Sequence, residues 1–405
     1  MDVLTKDIII VGGGAAGFFA AINIAERLSQ HSVCILEKGK HGLQKVKISG
    51  GGRCNVTHAE FIPAQLVTNY PRGEKELLGP FHQFMTGDTV SWFQDRGVEL
   101  KIEDDGRMFP ISDSSQTIID CFLNEAKNND VDVKYNHSVL SIKPYAEGFE
   151  IKTSNSVFNC KHLVIATGSN PKIWKLLKDL GHTINPPVPS LFTFHVDDKR
   201  INDIPGVVAK QVHITVPGTS LESDGPLLIT HTGLSAPAVL KLSAYGAIEF
   251  AKCNYEFKIQ INFINHDREE TVLELKEVKQ TLAKKQVANS PQFNLPKRLW
   301  EQLVLAASIG QKERWADINK EQLENLAAQL CEASFLVKGK STFKEEFVTA
   351  GGVELKEVNF KTFESKIIPN LYLAGEVLNI DAVTGGFNFQ NAWTGAYIIS
   401  KSIMI

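Results

Sequence analysis

The chain of 405 residues is short of the features that would give it a metal, a disulfide framework or a membrane span. Its six cysteines, Cys34, Cys54, Cys121, Cys160, Cys253 and Cys331, lie far apart and form neither a CxxC pair nor a metal-ligand spacing. That scatter predicts reduced thiols and no bound metal. No uninterrupted apolar run approaches the ~20 residues of a membrane span, and no charged-then-apolar leader precedes the first apolar segment. A cytoplasmic location without membrane contact is the expectation. Charge of one sign is also missing, since 43 Lys and Arg against 46 Asp and Glu leave a net charge of −3. Such a balance gives no global attraction to nucleic acid or an anionic membrane. With 43% hydrophobic and 22% charged residues, the composition is that of a globular chain long enough for two or three domains.

What is present begins at residue 7. The run Asp7-Ile8-Ile9-Ile10-Val11 ends in Gly12-Gly13-Gly14-Ala15-Ala16-Gly17 and passes directly into an apolar, helix-like stretch. This is a strand, a tight turn and a helix. Gly12 permits the turn, Gly14 lets backbone approach a pyrophosphate, and Gly17 lets helix and strand pack closely. A second apolar run, Val33-Cys34-Ile35-Leu36, ends in Glu37, 20 residues after Gly17. A carboxylate at that distance suits an unphosphorylated adenosine ribose, so FAD or NAD is expected over NADP.

The segment Ile48-Ser49-Gly50-Gly51-Gly52-Arg53-Cys54-Asn55-Val56-Thr57 is the least ordinary in the chain. Three consecutive glycines are poor helix or strand interior. Their unobstructed N–H groups can instead form a nest for a pyrophosphate or the polar edge of a flavin, with Arg53 offering a charged contact. Further on, helices are expected around Val90, Trp92 and Phe93 and again from about 114, with Ser112 or Asp113 as the second helix's cap. Arg107-Met108-Phe109-Pro110 reads as a buried hairpin anchor, with a substrate-facing segment as the alternative. Strands are expected at Val131–Tyr135 and Val139–Ile142. Leu163-Val164-Ile165-Ala166-Thr167-Gly168 reads as a buried parallel strand whose Thr-Gly turn returns to the dinucleotide.

Pro186, Pro187 and Pro189 mark a domain boundary. Short alternating segments from about 191 to 265 predict a β-domain, in which Ser235 would cap a short helix and His231 is a candidate flavin neighbour. Residues 267–335 carry leucines at helical spacing, and 12 acids and 13 bases between 267 and 345 form no basic patch. At the end, Asn370-Leu371-Tyr372-Leu373-Ala374-Gly375-Glu376 is a strand closing in Gly-Glu. Thr384-Gly385-Gly386-Phe387-Asn388-Phe389-Gln390 opens a helix whose N-terminus would stabilise negative charge on a reduced flavin.

Together these segments resemble the BaiN-like family of bacterial NAD(P)/FAD-dependent oxidoreductases, also described as aminoacetone oxidase family flavoproteins. The resemblance implies an α/β fold: a Rossmann-type FAD-binding domain of the glutathione reductase type, with an inserted β-barrel and a small helical domain. It assigns residues 1–190 and 346–405 to the FAD domain, 191–266 and 336–345 to the barrel, and 267–335 to the helical cap. By position, Gly12, Gly14, Ala15, Ala16, Gly17, Glu37 and Lys38 would hold the ADP half of FAD, with the Val139 backbone near the adenine. Ser49, Gly50, Gly51, Gly52, Arg53, Cys54 and Asn55, with Ala166, Thr167 and Gly168, would line the rest of the cofactor. Gly375, Glu376, Gly385, Gly386, Phe387 and Asn388 would complete that lining.

The implied activity is hydride transfer between flavin and a small-molecule substrate, with NADH or NADPH as candidate transient donor. No second strand-GxGxxG-helix unit lies between residues 40 and 350, so a separate nicotinamide domain is not expected. A flavin oxidase using dioxygen and a non-catalytic redox-sensing or RNA-associated flavoprotein stay open as alternatives. Catalytic candidates are limited to Cys54, Arg53 and His231, and the oligomeric state is not legible.

Overall fold

The computed structural model describes residues 3–341 and 348–404. Contacts divide the chain into two compact units, Met1–Pro189 with Lys344–Ile405, and Ser190–Phe343. The return boundary expected at 345/346 lies outside the described residues.

The first unit is built on a parallel sheet. Its strands run in the order Leu371–Leu373, Val157–Ile165, Val3–Val11, Val33–Leu36, Asp132–Lys134. A strand buried on both faces needs apolar side chains at every position, and Ile8, Ile9, Ile10 and Val33–Leu36 meet that requirement. An antiparallel hairpin, Val139–Tyr145 and Gly148–Thr153, occupies the first half of the outer edge of Val157–Ile165. Leu371–Leu373 takes the second half, so the last 60 residues complete the sheet begun by the first 11.

Helices Ala15–Arg27, Thr86–Gln94, Ser115–Asn128 and Phe387–Ser402 converge on one aromatic cluster. Phe19 lies 4.5 Å from Trp92 and 5.2 Å from Trp393, and Phe122 lies 5.6 Å from Trp393, measured between ring centroids. Each such pair adds roughly 0.5–1.5 kcal/mol beyond area burial. The cluster therefore ties the two helices that begin at glycine turns to a common frame. Ser114, rather than Ser112 or Asp113, caps Ser115–Asn128, its side chain accepting the Gln116 N–H. Asp113 sits at φ +52° and its carboxylate is drawn to Lys101 and Arg53.

The second unit holds a seven-stranded antiparallel sheet. Its path starts at Ala333–Lys338, continues through Glu256–Asn262, Val208–Thr215, Glu222–Thr230, Gly233–Ser235 and Thr193–His195, and ends at Lys340–Ser341. The end strands are consecutive in the chain, joined by Gly339, so the sheet curls back on itself. Helices Arg268–Thr281, Lys297–Ala306 and Lys320–Cys331 share one hydrophobic cluster with it, including Trp300, Trp315, Leu326 and Phe335. The helix Pro237–Tyr245 starts after Ala236 without a side-chain cap. The expected cap, Ser235, spends its hydroxyl on Thr193 at 3.1 Å.

Candidate functional site

Sheet register assembles most of the first unit's candidate residues. Val11 pairs with both Leu36 and Ile165, and Ile165 pairs with Leu373, so four parallel strands finish side by side. The residues that follow them are Gly12–Gly14, Glu37, Ala166–Gly168 and Gly375–Glu376. Ligands of open α/β sheets bind at this carboxyl end. Gly12 donates its N–H to Leu36 O at 2.9 Å, and Ala166 donates to Val11 O at 2.8 Å.

Close approach explains the glycines. A Cβ on Gly17 would fall 1.9 Å from Gly12 O, and one on Gly12 would fall 2.5 Å from Ala166 O. A Cβ on Gly14, in contrast, would meet nothing within 4 Å. Gly14 precedes the helix Ala15–Arg27, which has no side-chain cap and no acid in its first turn. Glu37 accepts from Gly13 N–H at 2.8 Å and Gly39 N–H at 2.7 Å. Its backbone carbonyl accepts from His137 N–H at 2.8 Å, which brings the segment leading to Val139 alongside. Ala16 lies against Gly375, whereas Lys38 is exposed.

A second group forms around the start of helix Phe387–Ser402. Helical geometry in Gln44–Gly52 breaks at Ser49, and Gly50, Gly51 and Gly52 follow at φ +57°, +68° and +86°. A Cβ on Gly51 or Gly52 would meet no neighbour within 4 Å, so these two line open space. The Asn55 amide, oriented to donate to Thr57 O at 3.0 Å, accepts from Gly386 N–H at 3.0 Å. Asn388 closes the preceding turn by accepting from Ala382 N–H and donating to Ala382 O. Like the first helix, Phe387–Ser402 has neither a side-chain cap nor an acid in its first turn. Lys45 links the two groups, its ammonium 2.5 Å from Glu376, whose carboxylate also borders Gly168.

The three catalytic candidates have different surroundings. Arg53 is held by Glu103 at 2.5 Å and Asp113 at 3.4 Å, with its guanidinium 3.9 Å above the Phe109 ring. Cys54 is fully buried, and burial pushes its thiol up to about 12. It is a neutral thiol at physiological pH, with little of the thiolate character of a nucleophile. His231 is exposed at the turn between Glu222–Thr230 and Gly233–Ser235, in the second unit.

Sequence reasoning passed over several residues. Tyr70 donates its hydroxyl to Phe387 O at 2.6 Å, and burial raises its phenol well above the usual range, so it stays a donor. Buried Asp381 pairs with Arg72. Gln390 Oε1 accepts from Thr57 and Thr89 at 2.6 and 2.9 Å. His58 contacts Gly385 O at 3.1 Å. Thr57, His58, Asp381 and Gln390 stand beside the two glycine-rich segments, whereas the sequence did not single out Tyr70, Arg72 or Thr89.

The residues fit a dinucleotide with a flavin. Two uncapped helix N-termini offer partial positive charge and free N–H groups to anions. The buried Thr167 hydroxyl, in the turn beside Gly12, has no partner among the described residues. Gly14, Gly51 and Gly52 leave backbone uncovered where a ligand would lie.

Fold and site thus define a Rossmann-type FAD-binding protein of the oxidoreductase class. The family described as the HI0933-like protein Rossmann domain matches residues 6–402, and the chain belongs to it. That is the BaiN-like, aminoacetone-oxidase-like family expected from the motifs. The chain is 30% identical over 410 residues to the ribosomal RNA dihydrouridine synthase of Haemophilus influenzae, covering 98% of each chain. It is 29% identical over 416 residues to the protein of the same name from Escherichia coli, again with 98% of each covered. The 3-dehydro-bile acid delta(4,6)-reductase of Clostridium scindens is 27% identical over 413 residues, 97% of this chain and 98% of that protein. Among solved structures, the 3-ketosteroid-delta4-(5alpha)-dehydrogenase of Rhodococcus jostii aligns with a TM-score of 0.53 at 13% identity, over 99% of this chain and 97% of that one. That likeness is one of fold. No helix among the described residues is long and apolar enough to cross a membrane.

Proposed function

We propose that this protein is a FAD-dependent reductase that saturates a carbon–carbon double bond conjugated to a carbonyl, with a uridine of ribosomal RNA as its substrate. The observation that carries the reading is the end-to-end likeness, at 30% and 29% identity, to two relatives named for making dihydrouridine in ribosomal RNA. Dihydrouridine is uridine reduced across the ring bond conjugated to its carbonyl. The bile-acid reductase is named for the same kind of chemistry, since a 3-oxo group is conjugated with a 4,6-diene. Bound FAD, once reduced by NADH or NADPH, would supply the hydride to one carbon, and a proton from solvent would complete the other.

In this reading Gly12–Gly17 and Glu37 hold the ADP half, and the Ala15–Arg27 N-terminus faces the pyrophosphate. Ser49–Asn55, Thr167, Gly375 and Glu376 line the middle of the cofactor. The start of Phe387–Ser402 favours negative charge on the reduced ring system. Arg53, already engaged by two carboxylates, braces the Gly50–Gly52 segment rather than meeting substrate. A net charge of −3 leaves RNA contact to local groups and to capture of a single base.

A second reading, reduction of a free conjugated ketone, is favoured by the 27% likeness to the bile-acid enzyme. The test is an anaerobic titration with NADH and then NADPH, followed by addition of ribosomal RNA from cells lacking the gene. Bleaching by a nicotinamide, reoxidation by that RNA and dihydrouridine detected by mass spectrometry are the expected results. Reoxidation by a conjugated enone but not by RNA would select the second reading.

A further inference from the structure

We propose that His58 is the positioning residue that locks the Gly385–Gly386 turn, and through it the flavin-facing start of helix Phe387–Ser402. The inference rests on the reading that FAD binds at this site.

His58 Nδ1 lies 3.1 Å from Gly385 O. A carbonyl only accepts, so this nitrogen carries the proton and donates. The imidazole also packs on Phe387, with centroids 4.5 Å apart and planes tilted by 31°. Its far edge meets the Glu103–Arg107 turn, where a Cβ on Gly106 would fall 2.6 Å from Nε2. The ring is therefore wedged between a hairpin turn and the turn that starts the helix.

Neighbours on the same segment hold the rest of that turn. Asn55 accepts the Gly386 N–H, and Gly386 approaches Thr57 so closely that a Cβ would fall 2.5 Å from Thr57 O. Asn55, Thr57 and His58 thus hold one peptide unit, Gly385–Gly386, from both its carbonyl and its N–H side at the start of the helix. This placement matters because the helix has no side-chain cap, and its field falls off within the first turn. A small displacement of the turn would change how strongly that field acts on the reduced flavin.

The test compares H58A, H58N and H58Q by FAD affinity and flavin midpoint potential, with wild-type protein alongside. Asparagine places an amide N–H where Nδ1–H stood, whereas glutamine places it one methylene further out. H58A is expected to weaken FAD binding about tenfold and to lower the affinity for reduced relative to oxidised flavin about tenfold. For a two-electron couple that is a midpoint roughly 30 mV more negative. H58N should recover most of both values and H58Q should not, a pattern a merely space-filling role would not give.

Wild-type affinity and potential in H58A would overturn the inference, as would equal impairment of H58N and H58Q. If H58A fails to fold, the H58N and H58Q pair decides. Wild-type protein that takes up no FAD would overturn the reading on which the inference stands, a result distinct from unchanged variants.

Discussion

Two helices of the first unit and two of the second begin differently. In the first, Ala15–Arg27 and Phe387–Ser402 start at Gly14 and Gly386 with no side chain over their N-termini. In the second, Asp267 caps Arg268–Thr281, and Asn319 with Gln322 forms a reciprocal capping box on Lys320–Cys331. A side-chain cap satisfies orphan N–H groups and stabilises a helix by about 1 kcal/mol. The two glycine starts forgo that gain at the points where a phosphate or a reduced flavin would take the N–H groups instead. Asp267 and Asn319 close their helix starts, and both helices pack into the second unit's shared core. The two glycine starts leave their N–H groups open to a ligand, whereas the Asp267 and Asn319 starts close theirs on their own side chains.

The largest effect expected within this contrast is on Gly17, because an alanine Cβ would sit 1.9 Å from backbone oxygen. Gly17→Ala should destabilise the first unit by about 4 kcal/mol or more, read as loss of folded protein or a large fall in melting temperature. Gly14→Val is the sharper test of binding. Its Cβ meets nothing, and φ of −96° with ψ of −166° is extended backbone that valine accepts. The variant should fold and melt like wild-type apoprotein, yet purify without a flavin band and bind FAD ~100-fold more weakly, about 2.7 kcal/mol. Wild-type FAD content in that variant would remove Gly14 from the site. Gly51→Val is less clean, since φ of +68° strains any side chain.

Alkaline pH should separate the units by a smaller margin. Burial pushes Cys34, Cys54, Cys121 and Cys160, all in the first unit, up to about 12. Unfolded thiols titrate near ~8.5. Because the folded values are raised, the stability from keeping these thiols neutral is complete below about 8.5 and is lost as pH climbs toward 12. In the second unit Cys253 is exposed, and burial raises Cys331. Hydrogen exchange between about pH 7.5 and 10.5, with reductant present, should show protection falling faster in the first unit. Asn319→Ala is expected to have the smallest effect, a loss of about 1 kcal/mol with unchanged flavin absorbance. A changed flavin spectrum in that variant would contradict the division of roles.

Particular residues show how far the site could be read in advance. Gly12 to Gly17 and Glu37 were legible because turn geometry and phosphate approach restrict residue type at fixed spacing. Gly385 and Gly386 were legible as a helix start, and the family resemblance alone assigned Gly385 to Asn388 to the cofactor. Arg53 was harder, since its partners Glu103 and Asp113 are 50 and 60 residues away and its charge alone suggested a ligand contact. The reactivity of Cys54 could not be judged until its burial was known. The cap at Ser114 was hidden among Ser112, Asp113, Ser114 and Ser115, any of which is chemically able to cap.

Short-range information determined where the buried strands lie, where the chain must turn and where backbone must stay bare. Those choices depend on apolar periodicity and on the steric limits of single residues. Only the tertiary structure decided that Val11, Leu36, Ile165 and Leu373 end in register, and that His58 and Tyr70 hold a helix start more than 300 residues away. Such pairings depend on how whole elements pack, and no local propensity encodes the partner of a hydrogen bond so distant in the chain.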